Sequence, residues 1–130
     1  MTPEAMDIDV AALSADELAA ALTAYDASWE YGAAIGLIVG QGSWLQKHEF
    51  LQAVEAWVEF DGQVVAWVDW EKVDLDALAS SGELRILEIA RSLAGIPGTR
   101  SLADLLTSLD DTNLARVFRA FEICARGWRS

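Results

Sequence analysis

The sequence is poor in histidine and cysteine, two residue types on which many active sites depend. Each occurs once in 130 residues, as His48 and Cys124. A single cysteine excludes an internal disulfide framework and is typical of a reducing compartment. A histidine-based triad would need His48, and neither Ser43 nor Cys124 lies in a nucleophile motif. These scarcities disfavour triad catalysis.

Long apolar runs are also absent. Residues 1–13 have neither the basic start nor the apolar centre of a signal peptide. The most apolar run, residues 31–39, has about half the length that a bilayer-spanning helix needs. We therefore expect a soluble, cytoplasmic protein with no membrane partner.

Basic residues are scarce and unevenly distributed. The net charge is -12, with nine Lys and Arg against 21 Asp and Glu. Residues 1–83 hold 16 acids and two lysines, whereas residues 84–130 hold five acids and seven arginines. The acidic part repels nucleic acid and anionic lipid at moderate salt. We expect a protein partner with a basic surface and no direct nucleic-acid binding.

Alternation of residue types is strongest over residues 54–70, VEAWVEFDGQVVAWVDW. Aromatic and β-branched residues flank Asp61-Gly62, a pair that suits the two positive φ angles of a type I′ turn. The pattern predicts a β-hairpin with a two-residue loop, in which Val58 faces Val65. A slip of one residue would exchange the two faces.

In this register the outer face of the hairpin combines large aromatic side chains with acids. Trp57 and Trp70 lie there among carboxylates, an arrangement that suits a basic protein partner. The other face is mostly apolar and needs cover from helices or from another strand. The binding residues that we predict are Glu55, Trp57, Glu59, Asp69, Trp70 and Glu71.

Helix signals occur on both sides of the hairpin. Ser14 and Glu17 form a capping box, and Leu18, Leu22, Tyr25 and Trp29 continue at helical spacing as a core stripe. Further starts are predicted at Ser101 and at Asp110 or Asp111, and a stop at Gly95 to Pro97. The fold class is therefore α+β: a single small domain over residues 14–130, with the hairpin among four to six mostly short helices. Residues 1–13 are a flexible segment, or alternatively contribute a short edge strand around Ile8 and Val10.

Gly32, Gly36 and Gly40 are spaced by four residues, which allows two interpretations. On a helix they would share one face and let another backbone approach closely. Each interior glycine also costs about 1 kcal/mol relative to alanine, so the helix would alternatively fray or end near Val39.

The last predicted helix has one apolar and one basic face. Leu114, Val117, Phe118, Phe121, Cys124 and Trp128 are expected to be buried. Arg116, Arg119 and Arg126 lie on the outer face, which is either a solvated surface or a second interface. As an interface it would contact an anionic partner or the acidic half of a second copy, in a homodimer. No aromatic residue lies among the arginines to stack on bases.

The stretch from residue 65 to residue 125 includes AWVDW, SGELRILEIARSLAG and LADLLTSLDDTN. In these segments the chain resembles small uncharacterised proteins of actinobacteria and their phages. The shared segments are signals of helix starts and stops. The resemblance implies no activity and no catalytic residues.

Two function classes remain. The first is a small acidic, non-enzymatic interaction or regulatory protein, associated with a phage or mobile element, that binds a basic protein surface. A specific version mimics nucleic acid by presenting carboxylates in place of phosphates. The second is a small enzyme that uses His48 or the acid pairs Asp69/Glu71, Asp74/Asp76 and Asp110/Asp111. No pair has the spacing of a calcium loop, so we expect no metal site. We also expect no cofactor and no catalytic residue.

Overall fold

A three-stranded antiparallel sheet, in the order β1-β2-β3, lies among six α-helices in the described part of the chain. The computed structural model describes residues 6–25, 28–73, 81–98, 100–107 and 109–129, with the backbone alone at 81, 82 and 127–129. The strands are β1 (Met6–Ile8), β2 (Val54–Val58) and β3 (Val64–Val68). The helices are α1 (Ala15–Ala24), α2 (Trp29–Gln41), α3 (His48–Leu51), α4 (Ser81–Leu93), α5 (Leu102–Leu106) and α6 (Asp111–Arg129). The α+β prediction, with a hairpin among short helices, is confirmed.

The hairpin turns through a three-residue loop, residues 60–62, and the predicted two-residue loop is wrong. Gly62 donates its N–H to the Glu59 carbonyl over 2.8 Å and has φ 89°. Asp61 does not have a positive φ; its carboxylate accepts the N–H of Gln63 over 2.9 Å. This is the pattern of a type I turn followed by a left-handed residue. Only glycine occupies the left-handed region at no steric cost. The observed loop, with a positive φ at Gly62 alone, is therefore favoured over a type I′ loop, which would need a positive φ at Asp61 as well.

The longer loop shifts the register by one residue and gives the sheet a wholly apolar face. Val58 pairs with Val64, not with Val65, and Ala56 pairs with Ala66. As a result three residues of β2 and three of β3 share one face: Val54, Ala56, Val58, Val64, Ala66 and Val68. Four of these six are buried. The predicted register would have placed Trp67 and Asp69 on this face, whereas the observed pairing keeps charged side chains off it.

β1 is the short edge strand that the sequence offered as an alternative to a flexible segment. Met6 pairs with Val58, and Ile8 pairs with Ala56. A 3-10 turn, Val10–Ala12, follows, with Asp9 accepting the N–H of Ala11 over 3.0 Å. The alternation of acids with Ile8 and Val10 therefore corresponds to a paired strand and its turn. Residues 1–5 lie outside the described residues.

The predicted stripe from Leu18 to Trp29 is divided between two helices. The capping box of α1 is confirmed: Ser14 and Glu17 exchange hydrogen bonds of 2.9 and 3.1 Å. The backbone N–H of Ser14 donates to the Glu17 carboxylate, and this hydrogen bond is the main cause that lowers the pKa of Glu17. A second cap at Ser28, whose hydroxyl accepts the N–H of Tyr31 over 3.0 Å, begins α2. The new start leaves Trp29 about half exposed, at 52%, and not in the core.

α2 is the central helix, packed most extensively on α6 and also on α4 and α1. It continues through its three glycines and ends at Gln41, near the predicted end at Val39. The glycines do not admit a neighbouring backbone from the described chain. A Cβ at Gly32 or Gly36 would meet no atom within 4 Å, and one at Gly40 would meet only the Arg116 side chain.

The later helices begin and end where the sequence predicts. Gly95, with φ 106°, ends α4; Ser101 caps α5; and Asp110 caps α6 by accepting the N–H of Asn113 over 2.8 Å. The sequence also predicts a short helix with Val73, Leu75 and Leu78 as its apolar residues and a capping box at Ser80 and Glu83, but both predictions involve residues 74–80, which lie outside the described residues. None of the described helices combines the length and apolar character of a membrane span.

The buried face of α6 is narrower than predicted. Val117 and Ala120 are fully buried, but Phe118 is 55% exposed. Successive residues of an α-helix differ by about 100° around its axis, so the residue after Val117 turns away from α2 and α4. The Phe118 ring lies 6.5 Å, between centroids, from that of Phe121, which is partly buried and packs against the core. The assignment of Phe118 to the core is wrong.

Candidate functional site

An acidic groove of about 470 Å³ lies where β1 ends beside β2. Three carboxylates line it: Asp7 from β1, Asp9 from the following turn and Glu55 from β2. Trp57 and His48 complete its polar and aromatic lining, and the described lining includes no lysine or arginine. The groove therefore concentrates negative charge beside an aromatic ring.

The groove exists because β1 is shorter than β2. β1 pairs with residues 56–58 only, and the chain then turns away. Hydrogen bonds from Glu59 to Gln63 and from Asp69 to Ala53, both 2.8 Å, show that odd-numbered residues of β2 are bonded to β3. Backbone groups alternate between the two sides of an antiparallel strand. The N–H and C=O of Val54 are consequently directed to the side that β1 leaves open.

An aromatic cluster covers the face of the sheet that carries Trp57. Tyr25, at the end of α1, lies 6.2 Å from Trp57 and 6.3 Å from Trp67, between ring centroids. Trp67 donates its indole N–H to Glu55 over 3.0 Å. That hydrogen bond fixes the direction of the Glu55 carboxylate beside the groove. Trp57 is half-buried by these contacts and retains an accessible surface.

The structure places the six predicted binding residues in three different settings. Glu55 and Trp57 line the groove, whereas Glu59 lies at the hairpin loop. Trp70 is 5% exposed and packs against Phe50 with ring centroids 6.3 Å apart. The prediction that Trp70 lies on the outer face is wrong, because a 3-10 turn, Trp70–Lys72, follows β3 and carries the ring into the core.

Asp69 and Glu71 do not line the groove; they belong to the turn after β3, where Lys72 lies between Asp69 and Glu55. Asp69 caps the 3-10 turn by accepting the N–H of Glu71 over 3.2 Å. The Lys72 ammonium is 3.7 Å from an Asp69 oxygen and 3.9 Å from a Glu55 oxygen. Exposed pairs of this kind contribute about 1 kcal/mol or less. A competing cation from a partner could therefore replace Lys72.

Asp7, Asp9 and Trp67 are site residues that the sequence prediction missed. Their signals are visible in retrospect: the two aspartates alternate with Ile8 and Val10, as edge-strand residues do. The predicted register places Trp67 on the apolar face, and the observed register moves it to the face of Trp57 and Glu55. Both omissions follow from strand pairing, which single-segment patterns do not determine.

A second groove, of about 440 Å³, lies between α2 and α6. Two of the three predicted basic-interface residues, Arg116 and Arg119, line it beside apolar and glycine residues. Arg126 is not part of its lining and instead forms an ion pair with Glu122, one turn earlier on α6. The structure therefore brings Arg116 and Arg119 together and leaves Arg126 in a separate surface pair.

The groups proposed for catalysis occupy separate places in the described part of the fold. His48 lies in the acidic groove, where its Nε2 is 3.1 Å from the Gln52 amide nitrogen. Asp110 is engaged as a helix cap, and Asp74 and Asp76 lie outside the described residues. Among the described side chains, no three or more His, Cys, Asp or Glu residues converge as metal ligands would.

No family model, curated protein or solved structure matches this chain.

Proposed function

We propose that this protein is a non-enzymatic interaction protein that binds a basic segment of a protein partner in the acidic groove. The observation that supports the proposal is the convergence of Asp7, Asp9 and Glu55 beside Trp57, with no cationic residue in the described lining. Three carboxylates from separate local segments would repel one another. A cationic ligand relieves that repulsion.

The chemistry of the groove favours arginine as the contacting residue. A guanidinium group pairs with carboxylates through two parallel hydrogen bonds and also stacks on an aromatic face. Glu55, oriented by Trp67, and the accessible surface of Trp57 offer both interactions side by side. The open backbone groups of Val54 add a pairing position for an extended segment. The proposed ligand is therefore an extended, arginine-containing stretch of a partner.

Capture of partners from a lysate, with paired charge variants, tests this proposal. The groove variant is Asp7→Asn/Asp9→Asn/Glu55→Gln. The control variant, Asp16→Asn/Glu30→Gln/Asp104→Asn, removes the same number of charges at exposed positions outside the groove. We expect the wild-type protein and the control to capture a basic protein that the groove variant does not. Thermal melts verify that all three proteins are folded.

Kinetics with the captured partner separate steering by charge from anchoring by Trp57. The association rate should fall steeply with salt, since exposed charges are screened over about 10 Å at 0.1 M. Trp57→Ala should raise the dissociation rate by about tenfold at every salt concentration, because an aromatic anchor acts through burial. Equal capture by the groove and control variants would contradict the proposal. If His48→Ala abolished the biological effect of the protein and left partner binding unchanged, the result would also contradict the proposal and would favour the enzyme alternative.

The resemblance to proteins of actinobacteria and their phages guides the choice of lysate. It favours an actinobacterial host, where a protein associated with a phage or mobile element would meet its partner. The nucleic-acid-mimic alternative predicts a captured partner that also binds DNA or RNA, in competition with this protein.

A further inference from the structure

The groove between α2 and α6 has an apolar floor and a cationic rim. Ala33 and Leu37 of α2 and Ala120 and Ile123 of α6 form most of the floor. The lining extends from Ala33 to Gly40 on α2 and from Ala115 to Ile123 on α6, so the groove follows the contact between the two helices for about two turns. Its exposed lining is predominantly apolar. Long apolar grooves between helices are typical docking sites for amphipathic helices.

The charge on the rim is not neutralised within the described chain. Arg119 is exposed, and Arg116 donates one hydrogen bond to the Asn113 amide oxygen over 3.1 Å. No described carboxylate lies within 4.0 Å of either guanidinium group. The lining of the groove also contains no acidic residue. An occupant with acidic residues beside its apolar face would complement this rim.

The glycines of α2 keep the groove open at a cost in stability. Gly36 and Gly40 line it, and each costs about 1 kcal/mol relative to alanine inside a helix. A Cβ at Gly36 would have free space, so packing within the described chain does not require glycine there. A helix that approaches closely from outside would make use of the missing side chain.

We propose that this groove docks an amphipathic helix with acidic flanks that belongs to a different protein. A symmetric dimer that paired the groove with itself would place four arginines, Arg116 and Arg119 of each copy, in one interface whose lining supplies no carboxylate. Like charges in such contact are destabilising. The groove is thus distinct in charge and in ligand from the acidic groove beside β1. Together, the two would let the protein contact two partners of opposite charge.

Two synthetic peptides provide a test. Each is about 18 residues long, blocked at both ends, with leucine at positions i, i+3, i+4 and i+7; one carries glutamate beside the leucines and the other lysine. Binding is measured by fluorescence anisotropy with the full chain. We expect the glutamate peptide to bind at least about tenfold more tightly than the lysine peptide. Arg116→Glu/Arg119→Glu should invert this preference.

Glycine variants test the shape of the groove. Gly36→Leu fills the groove at a position where a Cβ has free space, and it should weaken binding of the glutamate peptide by at least about tenfold. Gly32→Leu is the matched control: it lies on the same helix, outside the groove lining, with the same free space. It should change the affinity by less than about twofold. Melting curves verify the fold, and the charge-reversal variant still decides the outcome should Gly36→Leu not fold.

Three results would overturn the proposal. One is equal affinity for the two peptides, and another is a Gly36→Leu protein that is folded and binds as wild type does. The third is self-association of the wild-type protein, seen by sedimentation velocity, that Gly36→Leu abolishes and Gly32→Leu does not. That last result would assign the groove to a second copy of this chain.

Discussion

Glu88 is the only fully buried charged side chain in the described part of the chain, at 4% exposure. It packs against Gly98, in the connection between α4 and α5. A Cβ at Gly98 would lie 2.8 Å from the Glu88 carboxyl carbon, a distance that real contacts do not show. An alanine at residue 98 would therefore require the buried Glu88 side chain to shift.

Tyr31 is a single residue whose ionisation affects the stability of the fold. Its hydroxyl accepts the N–H of Val68 over 2.8 Å at the open edge of β3. Burial raises the pKa of Tyr31 to about 12, and the hydrogen bond from Val68 offsets only part of that rise. An unfolded chain releases the tyrosine proton near pH 10. Between these values the folded state keeps a proton that the unfolded state has lost.

Stability should therefore fall as the pH rises from about 10 to about 12, because the unfolded state binds fewer protons in this interval. Below pH 10 the contribution of Tyr31 is fully present. We expect Tyr31→Phe to reduce the steepness of this fall and to cost about 1 kcal/mol at neutral pH through loss of the hydrogen bond. Urea denaturation of both proteins at several pH values measures this. Parallel curves above pH 10 would show that Tyr31 titrates normally.

At the scale of elements, the three-residue loop of the hairpin determines which side chains meet on each face. Asp61→Gly distinguishes this loop from the two-residue alternative by the sign of its effect. In the observed loop, Asp61 accepts a hydrogen bond from Gln63 without a positive φ, so the substitution should destabilise by about 1 kcal/mol. In a type I′ loop, Asp61 would need a positive φ, and glycine would stabilise.

Gly62→Ala is the companion variant. With φ 89° at Gly62, an alanine there should cost about 1 to 2 kcal/mol. Urea midpoints at constant m value measure both variants. A rise of the midpoint for Asp61→Gly would favour the two-residue loop and would restore Trp67 to the face opposite Trp57.

The helix starts could be predicted from the sequence because caps are local. Ser14, Ser101 and Asp110 each accept an N–H from within three residues, and such bonds require no knowledge of the rest of the fold. The hairpin and the α+β class could also be predicted, because alternation around Asp61-Gly62 is likewise a pattern within one short segment. The cap at Ser28 has the same chemistry, but the apolar spacing through Trp29 concealed it.

The candidate site could be predicted only in part, because it depends on pairing between distant segments. Glu55 and Trp57 were identified from the hairpin alone. Asp7 joins them only when β1 pairs with β2, some 50 residues later in the chain. Trp70 could not be distinguished from an exposed ring, since its burial depends on a turn after β3 and on Phe50. Alternation along one strand shows neither the pairing of β1 with β2 nor the burial of Trp70.

At the scale of the whole molecule, the net charge of -12 is an unfavourable term for the folded state. The described ion pairs are few and mostly exposed, and they involve Lys47, Lys72 and Arg126. Repulsion between the many acids of residues 1–83 should dominate at low ionic strength. Added salt screens this repulsion.

We therefore expect the melting temperature to rise by a few degrees when NaCl is increased from about 10 mM to about 500 mM, as the screening length falls from about 30 Å to less than 10 Å. Differential scanning calorimetry measures the change. Sodium sulfate at equal ionic strength separates screening from general exclusion of salt by the protein surface. A melting temperature that falls with NaCl would mean that the ion pairs outweigh the repulsion.

The packing of α2 on α6 has a consequence for synthesis of the chain on the ribosome. About 70 residues separate the end of α2 at Gln41 from the start of α6 at Asp111. At typical translation rates, that interval lasts roughly 4 to 14 s. During this time Ala33 and Leu37 have been made, but the helix that will pack beside them has not. Nascent chains should therefore expose the apolar side of α2 until α6 emerges. The three glycines of α2 weaken helix formation, so they would delay the appearance of a continuous apolar surface on the nascent chain.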